Sequence, residues 1–374
     1  MFLLPQVKTS VVGNGKIETT LPKFYIIGII TSLLVFAFFS GVRWNVGIDH
    51  LTYLDYYEKF NIIKTVHRDD LETGFVYLIK IFNDFGLHFA IFFGFIALVQ
   101  ISMAYSYFNE AKYLIPYVSV FIICGGDFFS WMNGIRQGIV SAAFLFLAAN
   151  CIIKRRFMLY LISVYLLTFI HKSAFMLIPF YAIAYIPLEK FYINRNIQLV
   201  IFFGALILSS LNIWINFLDF IENVFALVGY DERFDMAKIA ENLRSQNFGP
   251  RKIIFFTIDL TFILYSKELR KAFPNKLFGF TLILFIILYL TQPLFANSMV
   301  FSRVIGYYYI SRAIMASYLC FYLIKYKPNN RNHLIAAMIF ALFIIHILIQ
   351  IYADRGGRTD CIRYQFFWEQ FNLM

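Results

Sequence analysis

Charge is what this sequence has least of. Only 15% of its 374 residues are Asp, Glu, Lys or Arg, against 60% hydrophobic and 20% aromatic. A water-facing surface normally carries about 25–35% charged side chains, so the composition excludes a soluble domain of this size. Cysteine is scarce too. Cys124, Cys151, Cys320 and Cys361 stand far apart with no paired spacing, which speaks against a disulfide framework or a zinc site. No Asp-x-Asp, His-Glu-x-x-His, Gly-x-Ser-x-Gly or phosphate-binding loop occurs. Their absence argues against nucleotide-sugar transferases, zinc proteases, serine hydrolases and ATPases. There is no internal repeat and no low-complexity segment.

What is present is apolar sequence, in runs long enough to cross roughly 30 Å of hydrocarbon. The expected fold class is an all-α polytopic membrane protein, a single membrane domain over 1–374. About eleven spans are expected, near 24–41, 87–108, 113–129, 135–153, 157–171, 173–187, 197–216, 251–266, 277–295, 300–324 and 333–352. The short fifth and sixth read as a broken or re-entrant pair. The first, Phe24 to Gly41, is too long for the core of a cleaved signal and reads as a retained span.

The formal net charge of +11 reports topology rather than a nucleic-acid footprint, and no nucleic-acid partner is expected. With the N-terminus in the cytoplasm, the cytoplasmic turns hold Lys8, Lys16, Lys112, Lys154, Arg155, Arg156, Lys267, Lys271 and Lys325 with few acids. That is the positive-inside pattern. Those cations are mostly Lys, whereas the ones outside or within the membrane are mostly Arg. A guanidinium fork suits bidentate binding of phosphate or carboxylate.

Three outer segments are long enough to build something: 42–86, about 217–250, and the tail 353–374. In the first, Asp49, Tyr53, Tyr56 and Tyr57 recur at helical spacing, giving a face of acid and phenols. In the second, 231–245 reads as a weakly amphipathic helix. Between the first two lies the stretch on which the chain is organised, Asn133 to Phe175. Its two apolar segments flank the basic turn Lys154-Arg155-Arg156 and carry Arg136-Gln137 at one far end and His171-Lys172-Ser173 at the other. Polar groups gathered at a membrane edge read as a site. Arg136 alone is equally a snorkelling residue, and His171 alone is equally an interhelical hydrogen-bonder. Arg303 falls at the same outer edge, with Asp49, Glu72, Asp127, Arg251 and Arg363 on nearby loops. Arg312 lies deeper, level with Asp259, and the two are expected to pair.

These residues also carry a resemblance. Asp49-x-x-x-Tyr53, Glu72-x-Gly-Phe75, Asn133-Gly-Ile-Arg-Gln137, Phe169-Ile-His-Lys-Ser-Ala174 and Ser302-Arg-x-x-x-Tyr307 resemble the EpsG-type family of Wzy-like polysaccharide-repeat polymerases. Where that family often has Pro-Tyr near the C-terminus, this chain has Arg363-Tyr364. The resemblance implies a glycosyltransferase of GT-C-like architecture in the bacterial inner membrane, with its active site and C-terminus in the periplasm. It implies an undecaprenyl-pyrophosphate-linked oligosaccharide as substrate, the bilayer as solvent, a chain-length regulator as partner, and no metal or other cofactor. Arg136 and Arg303 would clamp pyrophosphate, and His171, Asp49 or Glu72 would deprotonate the acceptor hydroxyl. Asp49, Tyr53, Glu72, Gln137, Lys172, Ser173, Arg251 and Tyr307 would bind substrate, with the aromatic loop stacking on sugars. The rivals are a flippase for the same lipid-linked oligosaccharide, an O-antigen ligase, and a membrane acyltransferase using His171.

Overall fold

A backbone in hydrocarbon has no water to bond with, so apolar runs fold as helices that satisfy their own peptide groups. The computed structural model describes residues 8–12, 16–20, 25–63, 71–211, 249–295, 299–353 and 364–372. Among these, five helices are long and apolar enough to cross a membrane: α1 (Tyr25–Val42), Phe89–Ser106, Ile135–Ile152, Lys276–Phe295 and Asn330–Tyr352. A sixth arises if the bent pair Lys112–Cys124 and Asp127–Asn133 counts as one span. The chain is membrane-embedded and helical.

Several of the segments read as spans are broken. The run 113–129 ends as α5 (Ile115–Cys124), turns by 62° at Gly125-Gly126, and continues as α6 (Asp127–Asn133). The run 300–324 is likewise two helices, Met299–Tyr308 and Ser311–Phe321, parted at Tyr309-Ile310. The short pair is a hairpin, Phe157–Thr168 against the tighter helical run Lys172–Tyr185, tied by a 2.6 Å hydrogen bond from the Tyr160 hydroxyl to Leu177 O. Its turn, at 169–171, presents His171. The amphipathic stretch 231–245, and Arg363, lie outside the described residues.

The first outer segment is itself helical. Two short helices, α2 (His50–Ile63) and α3 (Thr73–Asp84), pack on the N-terminal end of α4 (Phe89–Ser106). Tyr53, Tyr56 and Tyr57 are buried there. Tyr57 meets Phe92 at 4.9 Å between ring centroids, and Tyr53 meets Phe75 at 5.7 Å. This small aromatic core holds the segment against the bundle. Helices α1 and α4 approach closely because Gly41 and Gly94 face each other; a Cβ on Gly41 would stand 2.5 Å from Ala90 O. Small residues at such a crossing let backbones pack with no side chain between.

After α7 (Ile135–Leu147), α8 (Phe157–Thr168) and α9 (Arg195–Leu211) come the long α10 (Pro250–Ala272), then α11 (Lys276–Phe295), α12 (Met299–Tyr308), α13 (Ser311–Phe321) and α14 (Asn330–Ala353). Helix α13 is buried on every side. At its start Arg312, 2% exposed, gives a forked pair of 2.8 Å hydrogen bonds to both oxygens of Asp259 in α10. The guanidinium lies between Phe255, 4.2 Å away, and Tyr309, 5.0 Å away. The pairing expected from their common depth is present. The tail returns to the bundle: Arg43 and Trp44 pair antiparallel with Phe366 and Gln365, and Phe367 packs on His88 and Phe89. That seats the tail at the end of the bundle where α1 finishes and α4 begins.

Candidate functional site

The pieces meet where α3, α6, α7, α12 and the hairpin turn converge. Glu72, just before α3, is the keystone. One carboxylate oxygen is bonded by Arg136 Nη1, and the other accepts from the Lys172 backbone N–H at 2.9 Å and meets His171 Nδ1 at 3.1 Å. Burial alone would raise its pKa. The bonds from His171 and Lys172 and the Arg136 charge outweigh burial and bring it from 4.5 to about 2. Glu72 is therefore ionised throughout the neutral range and accepts from both neighbours. That places the proton of a neutral His171 on Nδ1 and leaves Nε2 as the basic nitrogen. Because the shift is downward, the stability it contributes is complete above pH 4.5 and lost only as pH falls through about 2.

Arg136, the second residue of α7, also donates from Nε to the Tyr53 hydroxyl at 3.3 Å. Burial raises the Tyr53 pKa, with the Arg136 charge opposing it. Tyr53 thus backs Arg136 from within the aromatic core. Gln137 turns the other way and donates to Arg303 O at 2.9 Å, tying α7 to α12. Ser173 is hydrogen-bonded to the Tyr307 hydroxyl, and both are buried. The Lys172 side chain is exposed.

Beside this cluster a cavity of about 660 Å³ opens, inside the range of roughly 300–1,000 Å³ usual for ligand sites. Asp49, Gln137, Arg251 and Arg303 line it. Asp49 is placed by its neighbours: its backbone N–H donates to Asn133 Oδ1 at 2.9 Å, and Gly47 turns the chain at φ +90°. Burial raises the Asp49 pKa from its ordinary value, against the lowering pull of Arg136 and Arg303. Two guanidiniums therefore act on one carboxylate at the cavity edge. Gly47→Ala would strain φ and set a Cβ 2.8 Å from Asn133 Oδ1. Its expected result is normal membrane abundance with at least a tenfold loss of function, read by immunoblot beside the cellular assay described below.

The described residues expected to act on or bind substrate are thus in or next to one region, though not in one shell. Asp49, Gln137, Arg251 and Arg303 line the cavity; Tyr53, Glu72, Arg136, His171 and Lys172 form the cluster beside it; Ser173 and Tyr307 pair behind. The lining also holds His346 and Gln350, which stand inside an apolar run of the sequence. Their spacing of four, one face of a helix, was the available signal. Among the described residues no group of three His, Cys, Asp or Glu side chains converges as a metal site requires.

A family model described as the EpsG family matches residues 26–366. No curated protein and no solved structure matches the chain. The matched range takes in both the keystone cluster and the whole cavity lining, from the start of α1 to the returning tail, and the protein accordingly belongs to the EpsG family, a Wzy-like polymerase family.

Proposed function

We propose that this protein polymerises oligosaccharide repeats carried on undecaprenyl pyrophosphate, at the periplasmic face of the bacterial inner membrane, within a GT-C-like architecture. The N-terminus is cytoplasmic and the C-terminus periplasmic. The product is O-antigen or a related surface polysaccharide, whose length a separate regulator sets. An acceptor hydroxyl of the incoming repeat attacks the anomeric carbon of the growing chain. The bond from that carbon to the pyrophosphate oxygen breaks, the lipid pyrophosphate leaves with the electron pair, and the hydroxyl proton passes to a carboxylate. Arg303 and Arg136 neutralise the departing charge, the work that an Arg clamp does in phosphoryl chemistry without a metal.

The observation that carries this reading is the polar cavity edged by Asp49 and Arg303, with Arg136 acting on the same carboxylate. Asp49 is favoured as the base. It lines the cavity, and no described residue hydrogen-bonds its carboxylate, whereas Glu72 is held by three donors. His171, oriented by Glu72, positions Arg136 through their shared carboxylate.

The test is an electrophoretic ladder of surface polysaccharide from cells lacking the protein, complemented with wild type, Arg136→Ala, His171→Ala and Asp49→Asn. A single-repeat band in the deletion, restored to a ladder only by wild type and in part by His171→Ala, is expected. A normal ladder in the deletion overturns the polymerase; loss of even the single repeat points to a flippase, and chains that form but never reach lipid A to a ligase. A base must be ionised to act, so in membranes the rate should rise with pH through the elevated Asp49 pKa and then level off. Asp49→Asn should remove both the rate and that limb.

A further inference from the structure

The cavity does not stop at the Asp49–Arg303 edge. Its lining continues past the break between α5 and α6 to Asp127, Gln292 and Gln350, with Phe255, Tyr309 and His346 around them. Non-helical backbone inside a membrane protein persists only where protein covers it or where it lines a cavity, and the Gly125-Gly126 break lines this one. Asp127 is 5% exposed, and no described side chain donates to it. Gln350 lies across the break, its Oε1 only 3.1 Å from where a Cβ on Gly126 would stand. His346 Nδ1 meets Cys124 O at 3.2 Å, which commits that nitrogen as the donor.

This chemistry suits one kind of occupant. A lipid tail would leave the Asp127 carboxylate and the Gln350 amide without a partner among the described side chains, at roughly 1–3 kcal/mol for each polar group so buried. A carboxylate that accepts and an amide that both donates and accepts match the vicinal hydroxyls of a neutral sugar ring. Tyr309, only partly buried, adds aromatic surface at the lining beside these groups.

We propose that the part of the cavity at the Gly125-Gly126 break is a sugar subsite that seats the terminal ring of the incoming repeat, with Asp127 and Gln350 reading its hydroxyls. It rests on the polymerase reading and adds a place where acceptor identity is decided, distinct from the Asp49–Arg303 edge.

The test is isothermal titration of the full-length protein in nanodiscs. The probe is repeat-unit oligosaccharide released from the producing cell's own polysaccharide, carrying neither lipid nor phosphate. Saturable binding is expected, weakened at least tenfold by Asp127→Asn and by Gln350→Leu. Inorganic pyrophosphate should not compete. Thermal melting checks each fold; should Asp127→Asn not fold, Gln350→Leu carries the comparison. No saturable heat from well-folded wild type overturns the subsite, as does binding indifferent to Asp127 and Gln350, or binding that pyrophosphate displaces. The two readings fail separately. A wild-type ladder in cells with no binding here leaves the polymerase and removes the subsite; Gln350-dependent binding with a normal ladder in the deletion does the reverse.

Discussion

Arg303→Ala, present in the membrane at the wild-type level, is expected to reduce the polysaccharide ladder to a single-repeat band, a loss of about 10²–10³ in rate. Arg303 lines the cavity, and its backbone is fixed by the 2.9 Å bond that Gln137 donates to its carbonyl. The substitution removes a charge without disturbing that tie. Arg303→Lys keeps the charge but loses the planar fork, so an intermediate ladder is expected. Arg136→Ala should differ in kind. It also strips Glu72 of a partner, so abundance should fall along with activity. A full ladder from well-expressed Arg303→Ala would remove Arg303 from the proposed clamp.

Asp259→Ala is expected to cost about 3–5 kcal/mol, enough to abolish recovery of folded protein from detergent. It leaves Arg312 charged and buried against Phe255 and Tyr309 with its forked partner gone. Replacing both partners with apolar residues, Asp259→Leu with Arg312→Met, should recover much of that loss, because no lone charge is left buried. Melting curves of the single and double variants decide this. A single variant as stable as wild type would show that the pair contributes nothing.

The site was largely legible because its parts sit at the ends of apolar runs, where a polar residue stands out. Glu72, Arg136 and His171 come from three separate short patterns, and the structure joins them on one carboxylate. Asp259 and Arg312 could be matched by depth alone. The burial of Tyr53 and Tyr57 was not legible. Helical spacing gives them a common face, but only tertiary packing supplies Phe75 and Phe92 to cover it. The breaks at Gly125-Gly126 and Tyr309-Ile310 were hidden as well, since apolar sequence continues on both sides and hydropathy carries no sign of a change in direction. For the same reason His346 and Gln350 were absorbed into a last span that looked merely greasy.

Gln292 has two allegiances. Its Oε1 accepts from Arg312 at 2.5 Å, and its side chain also lines the cavity. A charge buried in the bundle and the binding chamber therefore share an acceptor, and whatever occupies the chamber presses on the same equilibrium that keeps the helices together. A ligand that binds only the folded form raises stability by mass action. The melting temperature is then a gauge of occupancy. Compounds that fill the chamber can be found by heating the protein in their presence, before anyone knows which sugar it handles.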